Sequence, residues 1–165
     1  MKFLKENINT ISKEASLFTQ EHPEYKDKIK AFEEYFEVDT SLKHSKYLIS
    51  LITDFDYIGN YENNYYDEYG SSVSVFCDNW DKPYIEEIKY AIEDNQLRIQ
   101  GYLIYEGKGS KIITSRRAMS IRDDDDYDEY DTTIVAYYDF DIAIPDDVVD
   151  GDYKNNDSGF YYEEY

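Results

Sequence analysis

Apolar residues at the start of the chain recur three and four apart: Leu4, Ile8, Ile11, Ala15 and Phe18, with Lys, Glu, Asn and Ser between them. That spacing lines one face of an amphipathic helix. His22-Pro23 interrupts it, and the proline suits the first turn of a following helix, along which Tyr25, Ile29, Phe32 and Phe36 form a second stripe. The two make a helical hairpin. A third helix is expected from a cap at Thr40 or Ser41, with Leu48, Leu51, Ile52 and Phe55 inward and a strand over 47–52 as the alternative.

Beyond residue 58 the pattern changes. Residues 60–70 read as an acidic loop, and 72–77 alternate Val73 and Val75 with serines, as a short strand does. Asp81-Lys82-Pro83 reads as a helix start, with Ile85, Ile88 and Ile92 as the buried side to Asn95. Strands are expected over 96–105 and 111–122, joined by a hairpin turn at Gly107-Lys108-Gly109. A last strand over 132–144 puts Tyr138, Phe140, Ile142 and Ile144 on one side and Asp139 and Asp141 on the other, until Pro145 ends it. The expected fold class is α+β: N-terminal helices packed against a small, mostly antiparallel β-sheet. Residues 1–145 form one compact domain in this reading, helical over 1–58 and sheet with one helix over 71–144. Residues 146–165 form an acidic, Tyr-rich tail.

Charge then sharpens the picture. The 165 residues carry 37 Asp and Glu against 17 Lys and Arg, a formal net charge of −20. Disordered chains share such imbalance but lack aromatic residues, and this chain has 20 Tyr and 8 Phe. It should fold, against its own repulsion. The acidity is regional: residues 123–165 hold 16 acids and 1 base, while 96–122 hold 6 bases and 1 acid. Arg116, Arg117 and Arg122 in that basic stretch are expected to pair with nearby acids. Strong acidity excludes direct binding to nucleic acid or an anionic membrane, and points to a basic partner.

Catalytic chemistry finds little footing. Cys77 is the single cysteine, so no intramolecular disulfide can form, which fits a reducing cytoplasm. His22 and His44 stand in helical or boundary positions away from it, and Cys77 reads as a buried structural thiol. There is no glycine-rich phosphate loop and no zinc-like spacing. A calcium loop starting at Asp150 would place Asn155 at its required glycine and Tyr161 at its closing glutamate, and both positions fail. No enzyme, metal or cofactor is expected.

The candidate binding residues lie in acid-tyrosine blocks. One is Asp123-Asp124-Asp125-Asp126-Tyr127-Asp128-Glu129-Tyr130-Asp131, which runs into the apolar stretch Thr133-Ile134-Val135-Ala136-Tyr137-Tyr138. Another holds Glu62, Tyr65, Tyr66, Asp67, Glu68 and Tyr69, and a third closes the chain as Phe160-Tyr161-Tyr162-Glu163-Glu164-Tyr165. On a strand, carboxylates two residues apart lie about 6.7 Å apart on one side, as Asp139 and Asp141 do, and as Asp124, Asp126 and Asp128 do if extended. That is comparable with phosphate spacing along a DNA strand, so such carboxylates can meet arginines and lysines arranged for phosphates. Tyr65, Tyr66, Tyr69, Tyr127 and Tyr130 add rigid contact area, whereas Tyr25 and Tyr138 sit in core positions.

In residues 123–131 and 61–69 the chain resembles, by compositional character, the DNA-mimic inhibitors that phages and mobile elements encode against bacterial defence, of the anti-CRISPR and anti-restriction type. The resemblance implies inhibition of a nuclease or CRISPR effector by occupation of its basic DNA-binding cleft. An immunity protein for a nuclease toxin shares the same physics. An acidic chaperone or adaptor acting through its tail, and a calcium-dependent binding module, are the competing classes.

Overall fold

The computed structural model describes residues 12–36, 42–117, 127–157 and 159–165. Among the described residues, three α-helices come first: α1 (Lys13–Glu21), α2 (Lys26–Tyr35) and α3 (Lys46–Phe55). Seven strands of the described residues follow: β1 (Tyr61–Tyr66), β2 (Ser72–Trp80), β3 (Tyr84–Glu93), β4 (Gln96–Thr114), β5 (Tyr127–Ala143), β6 (Lys154–Asn155) and β7 (Phe160–Glu164). They form one sheet in the order β1-β2-β4-β5-β6, with β3 also on β4 and β7 also on β5. The ladders β1–β2, β2–β4, β3–β4 and β5–β6 are antiparallel. The fold is therefore α+β, with a larger sheet than expected. No described helix is long and apolar enough to cross a membrane.

The helical hairpin forms for the reasons its stripes suggest. Pro23 opens a 3₁₀ turn between α1 and α2, and Ala15, Ile29, Phe32 and Phe36 are buried. Leu4, Ile8 and Ile11 lie outside the described residues. Ser12 caps α1, and the buried Glu33 of α2 holds that cap: one carboxylate oxygen accepts from Ser12 N at 2.9 Å, the other from Ser12 Oγ at 2.5 Å. Tyr90 Oη of β3 donates to the same carboxylate at 2.9 Å. Helix α3 starts later than expected, capped by Ser45, whose Oγ accepts from Leu48 N at 3.1 Å and donates to Phe36 O at 2.9 Å. Thr40 and Ser41 lie outside the described residues. Leu48 and Ile52 are buried, while Leu51 and Phe55 are half-buried.

The chain groups into two compact units, each built from three stretches. The first comprises Met1–Tyr57, Pro83–Ile104 and Tyr137–Phe160; the second comprises Ile58–Lys82, Tyr105–Ala136 and Tyr161–Tyr165. In the first, Phe18 and Phe32 pack on Tyr90 with ring centroids 5.9 and 6.3 Å apart, and Ile85, Leu97, Ile99, Tyr138, Phe140 and Ile142 are buried. In the second, Val73, Val75, Cys77 and Ile134 form the core, with Tyr61, Tyr65, Trp80, Ile113 and Tyr162 packed against it.

Four expected elements are corrected. Residues 60–70 are not loop throughout: Tyr61–Tyr66 form β1, every second side chain packing inward. Residues 84–93 are strand β3, not helix. Its ladder passes from Glu86 opposite Tyr102 to Lys89 opposite Gln100, and Glu87 at φ 52° is the extra residue of a bulge. That bulge puts Ile85 and Ile88 on one buried face three residues apart, which imitates a helical stripe. Residues 96–114 are a single 19-residue strand with no turn at Gly107-Lys108-Gly109. The actual tight turn is Asp94-Asn95, at φ 52° and 58°, between the paired Glu93 and Gln96. Last, residues 146–165 contribute β6, paired on Ile142 and Ala143, and β7, whose neighbour Tyr165 exchanges backbone hydrogen bonds with Thr133 at 3.3 and 2.8 Å.

The glycines taken for a turn serve close packing instead. A Cβ on Gly107 would lie 2.5 Å from Cys77 Sγ and 2.6 Å from the Trp80 ring. Gly107→Ala should therefore cost about 1–3 kcal/mol, as forced overpacking does. Urea denaturation would show a lower midpoint at unchanged slope, whereas Gly59→Ala, with nothing within 4 Å, serves as the near-neutral control.

Candidate acidic interface

In the second unit, β1 and β2 pair from Tyr61 opposite Cys77 to Tyr66 opposite Ser72. The core on one face fixes what the other face shows: Glu62, Asn64 and Tyr66 are exposed, while Tyr61 and Tyr65 pack inward. Two expected binding residues are thus divided, Tyr66 outward at 73 % exposure and Tyr65 toward the core. Asp67 builds the turn. Its Oδ1 accepts from the backbone N of Tyr69 and of Ser71, both at 2.9 Å, and Gly70 follows at φ 78°. Glu68 and Tyr69 stand exposed at the tip.

The start of β5 belongs to the same unit. Tyr127, Asp128, Glu129, Tyr130 and Asp131 are all exposed, although the strand buries Ile134 and Ala136 a few residues later. Strand alternation sets Tyr127, Glu129 and Asp131 on one side and Asp128 and Tyr130 on the other. Among the described residues, no cation forms a salt bridge with Asp128, Glu129, Asp131, Glu62 or Glu68. Asp123, Asp124, Asp125 and Asp126 lie outside the described residues, as does Arg122. Arg116 and Arg117 are exposed.

The third segment of this unit ties acid and aromatic groups together. Glu164 accepts from Tyr61 Oη at 2.7 Å and from Asn63 Nδ2 at 2.9 Å. The Tyr61 and Tyr162 rings lie 4.7 Å apart, so β1 and β7, at opposite ends of the β1-β2-β4-β5-β7 order, meet through side chains. Burial, followed by the Glu164 contact, pushes the Tyr61 hydroxyl up to about 12. Glu164 is thus a structural acid.

In the first unit, Asp139 and Asp141 both line a groove of about 530 Å³. Glu87, Glu93 and Asp157 add to its acidity, against Lys89 as the one cation among the described lining residues, which also include Gln100 and Tyr102. The two expected binding residues behave differently. Asp141 Oδ2 accepts from Arg98 Nη1 at 2.9 Å, and the Arg98 side chain, 8 % exposed, also reaches Glu93 at 3.3 Å and Asp94 at 3.1 Å. Asp141 is therefore spent on an internal ion pair. Among the described residues Asp139 carries no such partner, and burial first, then the charge of Asp157, raises its carboxyl from its ordinary value.

Glu87, Glu93 and Asp157 escaped the sequence reading. Glu87 sits in the segment read as helix and Asp157 in the segment read as tail; a strand reading of 84–93 would have exposed the first. Among the described residues, no three His, Cys, Asp or Glu side chains are grouped to hold a metal ion. The Cys77 thiol is buried between Asn79 O and Lys108 O, each 3.6 Å away, and burial pushes its pKa up, which makes it a poor nucleophile. Comparison with protein-family models, curated proteins and solved structures finds no match to this chain.

An acid whose pKa is higher folded than unfolded favours folding while protonated. That contribution is complete below the unfolded value and is lost as pH rises through the folded one. For Asp139 the loss occurs as pH rises through its raised folded value, so Asp139→Asn should raise the urea midpoint at pH 7. Near pH 3, below the usual Asp value of about 3.9, variant and parent should coincide. A lower midpoint for the variant at pH 7 would show that Asp139 is held by an attraction rather than by repulsion.

Proposed function

We propose that this protein is an acidic DNA-mimic inhibitor. It binds a basic nucleic-acid-binding protein, a nuclease or CRISPR effector of bacterial defence, and keeps DNA out of its cleft. The observation carrying this reading is the exposed run Tyr127–Asp131, whose acids lack internal cations among the described residues yet stand on a strand anchored in a core. Fixed carboxylates lose little freedom on meeting arginines preset for phosphate, and Arg can take each bidentately. Glu129 and Asp131, about 6.7 Å apart on one side of the strand, give such a pair. Tyr127 and Tyr130, 48 % and 51 % exposed, add rings for cation–π contact and for area. Glu62, Tyr66, Glu68 and Tyr69 supply the same chemistry on the β1–β2 hairpin.

Binding rather than catalysis is the proposed mode, with no cofactor and no direct contact to nucleic acid or membrane. The proposed setting is the cytoplasm of a bacterial host, where a lone thiol stays reduced. An acidic chaperone working through a loose tail is the poorer reading, because β6 and β7 incorporate residues 154–155 and 160–164 into the sheet. A calcium loop from Asp150 is poorer too: Lys154–Asn155 is strand, and Asp147 Oδ1 accepts from the N of Val149 and Asp150. An immunity protein against a nuclease toxin would use the same surface, and the identity of the captured partner separates the two.

The test is capture of a partner from a bacterial lysate, followed by addition of duplex DNA. DNA should displace the protein, and affinity should fall steeply between low and physiological salt. Joint replacement Asp128→Lys, Glu129→Lys and Asp131→Lys should weaken the captured complex by at least about 100-fold, the scale expected when several charge-assisted hydrogen bonds to the partner are broken. Thermal stability should not fall, since none of the three forms a salt bridge within the described residues and the reversals relieve like-charge repulsion. A complex indifferent both to DNA and to these reversals would sink the proposal.

A further inference from the structure

We infer that the free edge of β1 accepts an added β-strand from the basic partner, an extended segment with Lys or Arg at alternate positions. This rests on the binding reading above and narrows it to one element of the partner. Strand β1 ends the sheet order and, among the described residues, pairs with β2 alone, through six consecutive residues without a bulge. Among the described residues, Tyr61–Tyr66 make no backbone hydrogen bond outside that ladder. Half of the backbone donors and acceptors along β1 therefore point away from the sheet.

Natural sheets guard such edges with proline, lysine, bulges or very short strands. Two other edges of this sheet are guarded. Strand β3, which among the described residues pairs only with β4, is preceded by Lys82-Pro83, carries the Glu87 bulge and bears Lys89, while β6 has two residues. Strand β1 has none of these devices. The contacts from Glu164 reach the inward side chains Tyr61 and Asn63, not the backbone edge.

Charge selects the occupant. Residues 61–80, the whole β1–β2 hairpin, hold Glu62, Asp67, Glu68 and Asp78 and no Lys or Arg. A second copy of this chain would bring the same charges and be repelled. A strand with cations on one side would set them beside Glu62 while its backbone completes the ladder, the mode known as strand addition.

The probe is a ten-residue peptide of alternating Lys and Val, titrated into the full-length protein at low salt and followed by backbone amide NMR. Resonances of residues 61–66 should shift, and the outward amides of β1 should gain protection from exchange. Two N-methylated peptides of unchanged charge, one methylated on every Lys and one on every Val, decide the mode. Pairing uses one edge of the peptide, so one form should lose more than tenfold in affinity and the other should bind like the parent. Glu62→Lys should weaken the parent peptide several-fold. Equal binding by both methylated forms, shifts confined to 127–131, or no binding would each overturn strand addition. Displacement of the captured partner by duplex DNA would still stand in those cases, so the two proposals fail separately.

Discussion

A strand that buries every second side chain has no freedom in where it puts the others. In β5 the residues Ile134, Ala136, Tyr138, Phe140 and Ile142 are all buried, so the intervening positions are held on the opposite face at fixed spacing, half-buried from Val135 to Asp141. The same constraint acts in β1, where inward Tyr61 and Tyr65 oblige Glu62 and Tyr66 to face solvent. Apolar burial on one face is thus what holds carboxylates on the other against their mutual repulsion. A chain of net charge −20 needs that anchoring more than most.

The acids divide into two populations by what they touch. Glu33 clamps the start of α1 to α2 and β3, Asp67 shapes a turn, and Asp141 joins Glu93 and Asp94 around Arg98. Asp56 accepts from Tyr138 Oη at 2.8 Å, and Glu164 joins β7 to β1. These groups stabilise the fold, and removing a partner from a buried ion pair such as Arg98–Asp141 leaves an uncompensated charge. The second population, at the start of β5 and on the β1–β2 hairpin, is exposed and, among the described residues, without internal cations. That second population is open to a basic partner, and the proposed binding uses it rather than the total charge.

The misread elements share one cause, a local signal that tertiary packing had redirected. A bulge at Glu87 gave Ile85 and Ile88 a helix-like spacing inside a strand. Gly107 looked like a turn residue but lets Cys77 and Trp80 approach the backbone. Asp94-Asn95, less conspicuous than the glycines, made the turn because both can adopt positive φ. The closing segment, expected as an acidic, Tyr-rich tail, joins the fold: Asn155 Oδ1 accepts from Asp141 N and its amide donates to Tyr138 Oη. Hydrogen bonds of that kind leave no trace in hydrophobic periodicity.

The sequence by itself determined the helical hairpin, the α+β class, the alternation of β5 and the regional concentration of acid, because each is a property of neighbours along the chain. Which acids remain free was decided only by the tertiary structure. Asp139 and Asp141 are equivalent in sequence, two residues apart on one strand face. Asp141 meets Arg98, brought alongside from β4, whereas Asp139 meets the like charge of Asp157. Periodicity assigns a side chain to a face, but its electrostatic neighbours come from strands distant in sequence, so compensation can be read only once those strands are in place.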